Sequence, residues 1–227
     1  MEYQADLSSN SWVFKFQPEK RTITGRSYIR LKRLMDLTLV IGSIPFWLPI
    51  VALLAGLIWI SEPGAPIFFV QKRTGKNGHR FNLFKFRTMV PNAEQLKSKI
   101  AKVNAQGELA GPLKLANDPR ITRIGRILRK TSLDELPQLF NIIRGEMSLV
   151  GPRPTSWSSE SYILWQTERL DVLPGLTGLW QVCGRGGQDF DDWLRWDIRY
   201  LENQCITLDI VILYKTITAV FKQKGAV

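Results

Sequence analysis

The sequence predicts a mainly α-helical protein with one small β-hairpin. A re-entrant membrane helix-break-helix and amphipathic interfacial helices surround a compact cytoplasmic domain. Three observations lead there. Leu37 to Ile60 is a run of 24 residues without a charge, interrupted by Gly42, Pro45 and Pro49. Two short aromatic-rich segments flank Gly75-Lys76-Asn77-Gly78, and most of the remaining patterned sequence has apolar residues at helical spacing. At 227 residues the chain is long enough for one domain with a real core, whereas two domains would each be small. The predicted division is a flexible arm over 1–28, a re-entrant membrane helix over 29–62 and a cytosolic domain with interfacial helices over 63–227.

The formal net charge of +11 favours anionic partners: nucleic acid, lipid headgroups or a phosphorylated substrate. Charge alone does not choose among them. Cys183 and Cys205 are too few for a disulfide framework, and a reducing compartment is the simpler assumption. The first 30 residues contain Glu2, Asp6 and Glu19 and lack an apolar run, so no secretory signal is expected and the N-terminus is expected to stay in the cytoplasm.

Taken in order, the arm is polar, with Trp12, Phe14 and Phe16 as its apolar cluster. At 1.5 Å per residue the Leu37 to Ile60 run spans roughly 36 Å, enough to cross a bilayer. Two features oppose a simple crossing. Each mid-run proline deletes a backbone hydrogen bond and clashes with the preceding turn, so a kink is expected. Basic residues also mark both flanks, Arg21, Arg26, Arg30, Lys32 and Arg33 before the run and Lys72, Arg73, Lys76 and Arg80 after it. Since Lys and Arg mark the cytoplasmic side, the run is expected to enter and leave by one face. Asp36, at its mouth, is expected to pair with Arg33 or Arg30.

Ile67 to Gln71 and Arg80 to Phe86 read as the two strands of a hairpin, with His79 exposed at the turn. Lys85 and Arg87 alternate onto one strand face, where they could reach a phosphate or simply be solvated. Ala93 to Lys102 is Ala/Lys/Glu-rich and reads as helix, and the polar segment around Gly107 to Gly111 as a mobile lid. Arg120 to Arg129, taken as a helix, gathers Ile121, Ile124, Ile127 and Leu128 on one arc with Arg123, Arg126 and Arg129 outside it. Trp157 to Leu170 reads as helical, and Pro174 to Gly187 as a Gly-rich loop with neither a P-loop nor a dinucleotide fingerprint. The region of Trp193 and Trp196, then Leu208 to Phe221, gives amphipathic helices suited to an interface, where indole rings are favoured.

The chemistry centres on Leu133-Asp134-Glu135-Leu136-Pro137-Gln138-Leu139. Leu136, Leu139, Phe140 and Ile143 have helical spacing, and Pro137 fits only a first turn, so a helix is expected to begin near Asp134. Its N-terminus could bind an anion. Ser132-x-x-Glu135 is equally a capping box, and the local pattern leaves both readings standing. Arg120, Arg123, Arg126, Arg129, Lys130, Arg144 and Arg153 all lie close in sequence to the acid pair, a density of cations that suits phosphate chemistry.

These residues carry a resemblance. Arg129 to Leu139, followed by Arg144-Gly145-Glu146-Met147-Ser148-Leu149-Val150-Gly151-Pro152-Arg153-Pro154, resembles the core of the bacterial sugar transferases, the monotopic phosphoglycosyl transferases. Gln71 to Gly75, Lys85 to Met89, Asp118-Pro119-Arg120 and Pro174 to Arg185 agree in the same order, so the resemblance covers roughly residues 30 to 225. It implies an enzyme at the cytoplasmic face of a bacterial inner membrane that moves a sugar 1-phosphate from a UDP-sugar onto undecaprenyl phosphate, releasing UMP. It further implies a re-entrant membrane helix, Mg²⁺ as cofactor, Asp134 as nucleophile and metal ligand, and Glu135 as a second catalytic residue that either activates the lipid phosphate or helps to orient the metal. Arg129 and Arg153 match the family's phosphate-contacting arginines, and Lys85, Arg87 and Arg185 are assigned to substrate binding with them. In the family a Ser-Pro pair supports the membrane break; the aligned pair here is Leu48-Pro49, which leaves the freed backbone carbonyls without an evident partner. Galactose or glucose is preferred over N-acetylated sugars.

Two rivals from other classes explain parts of the pattern. A membrane-anchored nucleic-acid-binding module accounts for charge and aromatics and would bind DNA or RNA in a salt-dependent way without releasing UMP. A non-catalytic scaffold accounts for the amphipathic helices and would be indifferent to Asp134→Asn.

Overall fold

The computed structural model describes residues 11–16, 21, 23–100, 118–183 and 190–221. The expected lid around Gly107 to Gly111, and Arg185, lie outside them. The chain is mainly helical, with two separate two-stranded sheets among the described residues.

The apolar run forms helices α1 (Gly25–Gly42) and α2 (Ile44–Ser61), joined through the single residue Ser43. The break therefore lies at Ser43 and not at Leu48-Pro49 as the alignment suggested. Pro45 falls in the first turn of α2, where no intrahelical donor is needed, and Pro49 is carried inside the helix. The Val40 carbonyl, freed at the break, has partners close by, while the Leu39 carbonyl keeps its bond from the Ser43 amide. Ser43 Oγ donates to the Leu39 and Val40 carbonyls at 2.6 and 3.2 Å, and the Trp47 indole Nε1 donates to the Val40 carbonyl at 2.9 Å. A hydroxyl and an indole thus do the work expected of the missing family serine.

Helix α2 is long and apolar enough to cross a membrane, and little of it is buried against the protein. Phe46, Leu53, Trp59 and Ile60 are each at least 60% exposed, which water would not tolerate in one contiguous strip. Only Trp47, Val51 and Ile58 of α2 turn fully into the core, where Trp47 meets Phe140 edge-on at 5.3 Å.

Helix α1 is fastened to the protein by its polar residues. Asp36, 1% exposed, accepts from Ser148 Oγ at 2.7 Å and the Leu149 amide at 3.3 Å. The expected pairing of Asp36 with Arg33 or Arg30 is thereby corrected. Arg33 instead donates to the carbonyls of Ile142 and Ile143 at 2.6 and 3.1 Å, in the last turn of a short helix where cations are favoured. Lys32 pairs with the buried Asp209 at 2.9 Å, which also accepts from Tyr28 and Tyr200. The expected flexible arm is docked at residues 11–16: Ser11–Lys15 is a 3₁₀ turn, Val13 is 1% exposed, and Lys215 lies over the Trp12 ring at 4.5 Å.

The hairpin is present, as β1 (Phe68–Thr74) antiparallel to β2 (Arg80–Phe86), with exposed His79 beside the turn. Helix α3 (Ala93–Ile100) lies where an Ala/Lys/Glu-rich helix was expected. Helix α4 (Arg123–Thr131) starts later than the sequence suggested, capped by Thr122 Oγ1 accepting from the Gly125 amide at 2.9 Å. Arg120 stays outside it in a buried two-pronged pair with Asp118. Helix α5 (Gln138–Arg144) docks on β2 through the fully buried Asn141. Its Oδ1 accepts from the Phe84 amide, and its Nδ2 donates to the Asn82 carbonyl and to Glu146.

Two further expectations change. The stretch Trp157 to Leu170 holds 3₁₀ turns, Ser159–Ser161 and Leu164–Asp171, in place of an α-helix. The segment read as a Gly-rich loop contains β4 (Gly175–Thr177), parallel to β3 (Ser148–Val150), and then α6 (Leu179–Cys183). Helices α7 (Phe190–Asn203) and α8 (Ile206–Phe221) close the core with Leu194, Trp196, Leu208 and Ile212, and α8 leaves Ile210, Tyr214 and Ile217 exposed.

Candidate active site

The acid pair does not open an α-helix. Helix α4 ends at Ser132, whose left-handed backbone (φ 58°) turns its amide back to the Arg129 carbonyl, and Leu133–Glu135 is one 3₁₀ turn before α5 begins at Gln138. Ser132 makes no side-chain cap, so the capping box is not formed. The Glu135 carboxylate is engaged elsewhere: Oε1 accepts from Lys85 Nζ at 2.8 Å and from Arg153 Nη2 at 2.7 Å. Three distant pieces of chain, the hairpin, the 3₁₀ turn and the loop after β3, therefore meet at one oxygen.

The two acids occupy different electrostatic settings. Burial alone would push Glu135 up, but Arg153 and Lys85 outweigh it and hold the carboxyl down at about 2. Asp134 makes no hydrogen bond or ion pair among the described residues. Burial raises its pKa, Lys85 pulls it back, and the charge of Glu135 raises it further. An acid held ionised beside a free, more basic one is the division of labour expected of a positioning carboxylate and a nucleophile. A reaction that needs ionised Asp134 should slow as pH falls through a value above the ordinary aspartate range of about 3.9. Rates of covalent-adduct formation between pH 4 and 8 check this; the loss should appear on the acid side while Glu135 is still ionised.

Among the other assigned cations, Arg129 is held by donating Nε to Thr88 Oγ1 at 2.9 Å, and its charge, like that of Arg153, favours ionised Asp134. Arg87 has a buried Nη1 without a hydrogen-bond partner and no bond to either acid. The site thus gathers Lys85, Arg129 and Arg153 with Asp134 and Glu135, through bonds to Glu135 or charge acting on Asp134.

Arg153 owes its place to close backbone packing. A Cβ on Gly175 would lie 2.1 Å from the Gly151 nitrogen, and one on Gly178 would lie 2.3 Å from the Gly151 oxygen. The glycines of the Pro174 to Gly178 stretch are therefore fixed by contact with Gly151-Pro152. The Arg153 carbonyl accepts from Arg169 Nη2, whose guanidinium is locked by Asp197 Oδ2 at 2.6 and 3.0 Å. Arg169 and Asp197 are 5% and 4% exposed. The sequence reading missed them, along with Thr88 and Asn141. Asn141 had one advance signal, polarity within the otherwise apolar stretch Leu139 to Ile143, whereas Arg169, Asp197 and Thr88 stand among other polar residues and had none.

Among the described residues no three metal-ligating side chains cluster. A Mg²⁺ ion takes oxygen ligands and is commonly held by one or two carboxylates together with substrate phosphates and water. The unpartnered Asp134 carboxylate fits that mode and no richer one.

An acid pair under the charges of lysine and arginine side chains, one acid bonded to them and the other without a hydrogen bond or ion pair among the described residues, is suited to receiving an anionic, phosphorylated ligand. The bacterial sugar transferase family model matches residues 27–223. The chain is 42% identical over 199 residues to a UDP-galactose-lipid carrier transferase of Erwinia amylovora, covering 86% of this chain and 41% of that one. It is 44% identical over 170 residues to an undecaprenyl-phosphate galactose phosphotransferase of Salmonella typhimurium, covering 74% and 36%. With the exopolysaccharide production protein ExoY of Sinorhizobium fredii it shares 42% identity over 198 residues, 86% of this chain and 87% of that one. The chain belongs to the bacterial sugar transferase family. It spans about two fifths of the length of the first two relatives, and nearly all of the third.

Proposed function

We propose that the protein transfers a sugar 1-phosphate from a UDP-sugar to undecaprenyl phosphate, releasing UMP, as the first membrane step in making a bacterial surface polysaccharide or exopolysaccharide. The observation that carries this is the unpartnered Asp134 carboxylate beside a Glu135 fixed by Lys85 and Arg153. An Asp134 oxygen attacks the phosphorus that bears the sugar. The bond to the bridging oxygen breaks, and UMP leaves with that oxygen. The resulting aspartyl phosphosugar is attacked by an oxygen of undecaprenyl phosphate, which forms the lipid diphosphosugar and frees the carboxylate. Splitting the transfer in two lets one nucleophile serve a donor and an acceptor that are each anionic. Arg129 and Arg153 bind phosphate oxygens through guanidinium groups suited to them. Glu135 keeps Lys85 and Arg153 in place.

Mg²⁺, held by Asp134 and the diphosphate oxygens of the substrate, would neutralise charge on the diphosphate and its leaving group. Excess chelator should therefore stop turnover, and added Mg²⁺ should restore it; full turnover in chelator would remove the ion from the scheme. Two of the relatives above are named for galactose, which favours that sugar, although one relative at 35% identity is named for N-acetylgalactosamine. A UMP-release assay across a panel of UDP-sugars, with undecaprenyl phosphate present, tests both reaction and sugar. Release of UDP would mean cleavage at the sugar carbon and would overturn the assignment.

The proposed membrane arrangement is re-entrant, with both ends of α1–α2 on the cytoplasmic face. In a cysteine-free background, single cysteines at Arg30 and at Lys76 should react alike with an impermeant reagent in oriented vesicles. Opposite accessibility would mean a true span. Replacing Ser43 and Pro45 together by leucine removes both the hydroxyl that serves the broken turn and the residue that starts α2, and should drive the two cysteines to opposite sides.

A further inference from the structure

Arg73 lies beside the site, and the proposed reaction as written gives it no task. It sits on β1, on the hairpin face that also carries Lys85: the register pairs Arg73 with Phe81 and Phe69 with Lys85, and residues two apart on a strand share a face. Its guanidinium reaches the loop that holds Arg153, donating Nη1 to the Pro154 carbonyl at 3.4 Å and Nη2 to Gln71 Oε1 at 2.5 Å. Its Nε is buried without a hydrogen-bond partner. The long bond to Pro154 and the orphaned Nε leave most of the donor fork unspent, and a buried donor without a partner is costly.

Charge points the same way. Burial and the nearby charge of Arg153 both disfavour the Arg73 cation, and Glu135, which favours it, is bonded to Arg153 and Lys85. Two guanidiniums held together with one carboxylate, already shared, are a poor arrangement for a resting protein. They are a good one for a site that receives an anion. The charges of Arg73, Lys85, Arg129 and Arg153 act on Asp134 and Glu135, so these cations outnumber the two acids, a surplus that attracts a phosphorylated anion.

We propose that Arg73 is a substrate-contacting residue of this site, its free guanidinium edge binding phosphoryl oxygens alongside Arg153. The proposal rests on the phosphosugar-transfer reading above. The phosphoryl group is that of the nucleotide donor or of the lipid acceptor, and the two half-reactions separate these sources.

The experiment uses the full chain and two variants, Arg73→Lys and Arg73→Gln, each first checked for an unchanged thermal unfolding midpoint. With UDP-galactose alone, the concentration giving half-maximal adduct formation should rise at least 10-fold in Arg73→Gln and by less in Arg73→Lys, while the final UMP released per protein stays the same. Free guanidinium ion should recover part of the lost rate in an Arg73→Ala variant, which a purely structural role would not allow. Normal adduct formation with a slowed chase by undecaprenyl phosphate would assign the contact to the acceptor phosphate, still in support. Wild-type adduct with both half-reactions unchanged in folded variants overturns the role of Arg73 alone. Absence of any adduct from the wild-type protein would instead remove the reaction on which the role depends.

Discussion

Asp134→Asn is expected to abolish phosphosugar transfer, with turnover falling by about 10³-fold or more, as befits loss of a covalent nucleophile. Asparagine keeps the size of the side chain but its amide cannot form the acyl phosphate. Asp134 makes no hydrogen bond or ion pair among the described residues, so the change breaks none there. It also removes a carboxyl whose pKa burial has raised. The variant should therefore be at least as stable as the parent. Thermal unfolding beside a UMP-release assay checks both halves: activity lost with the midpoint unchanged or higher is the expected result. Activity retained within a few-fold would mean direct displacement with Asp134 as a bystander.

Arg153→Ala is expected to cost about 10²- to 10³-fold in the rate of adduct formation, the usual range for removing one preorganised group that stabilises transition-state charge. It takes away the 2.7 Å partner of Glu135 and a phosphate-binding guanidinium together. With Arg153 gone, burial has less opposing it and the Glu135 carboxyl should rise from about 2. Stability is a poor reporter here. The Arg153 side chain is 40% exposed, and a solvent-screened pair of this kind contributes about 1 kcal/mol or less. Single-turnover rates with UDP-galactose separate the effects: a large loss with little change in unfolding midpoint is expected. Arg153→Lys should recover only part of the rate, since an ammonium cannot present two parallel donors. A loss of rate matched by a large loss of stability would make Arg153 structural.

The sequence made some of this legible and not the rest, for identifiable reasons. The hairpin and the apolar helices follow from periodicity, a local property. The acid pair stands among arginines close in sequence, so an affinity for phosphate could be anticipated from the residue types alone. The shape of the acid turn could not. Ser132, Glu135 and Pro137 satisfy the pattern of a helix start, but Glu135 is drawn away by Lys85 and Arg153, 50 and 18 residues distant, and a charge-assisted bond to either exceeds what a cap offers. The break at Ser43 was equally hidden. Two prolines competed for the role, and the outcome depends on a hydroxyl and an indole both reaching the freed Val40 carbonyl. Strands β3 and β4 have three residues each, too few for an alternating pattern to register. Asp36 looked like a partner for a neighbouring arginine, whereas Ser148, 112 residues away, holds it.

The central claim is that Asp134 carries the sugar phosphate between donor and acceptor. Intact-protein mass measurement after incubation with UDP-galactose alone tests it most directly. One hexose phosphate per chain should be gained, mapped by fragmentation to Asp134 and discharged on adding undecaprenyl phosphate, with UMP released in equal amount. An unmodified chain that nonetheless makes lipid-linked product when both substrates are present would contradict it.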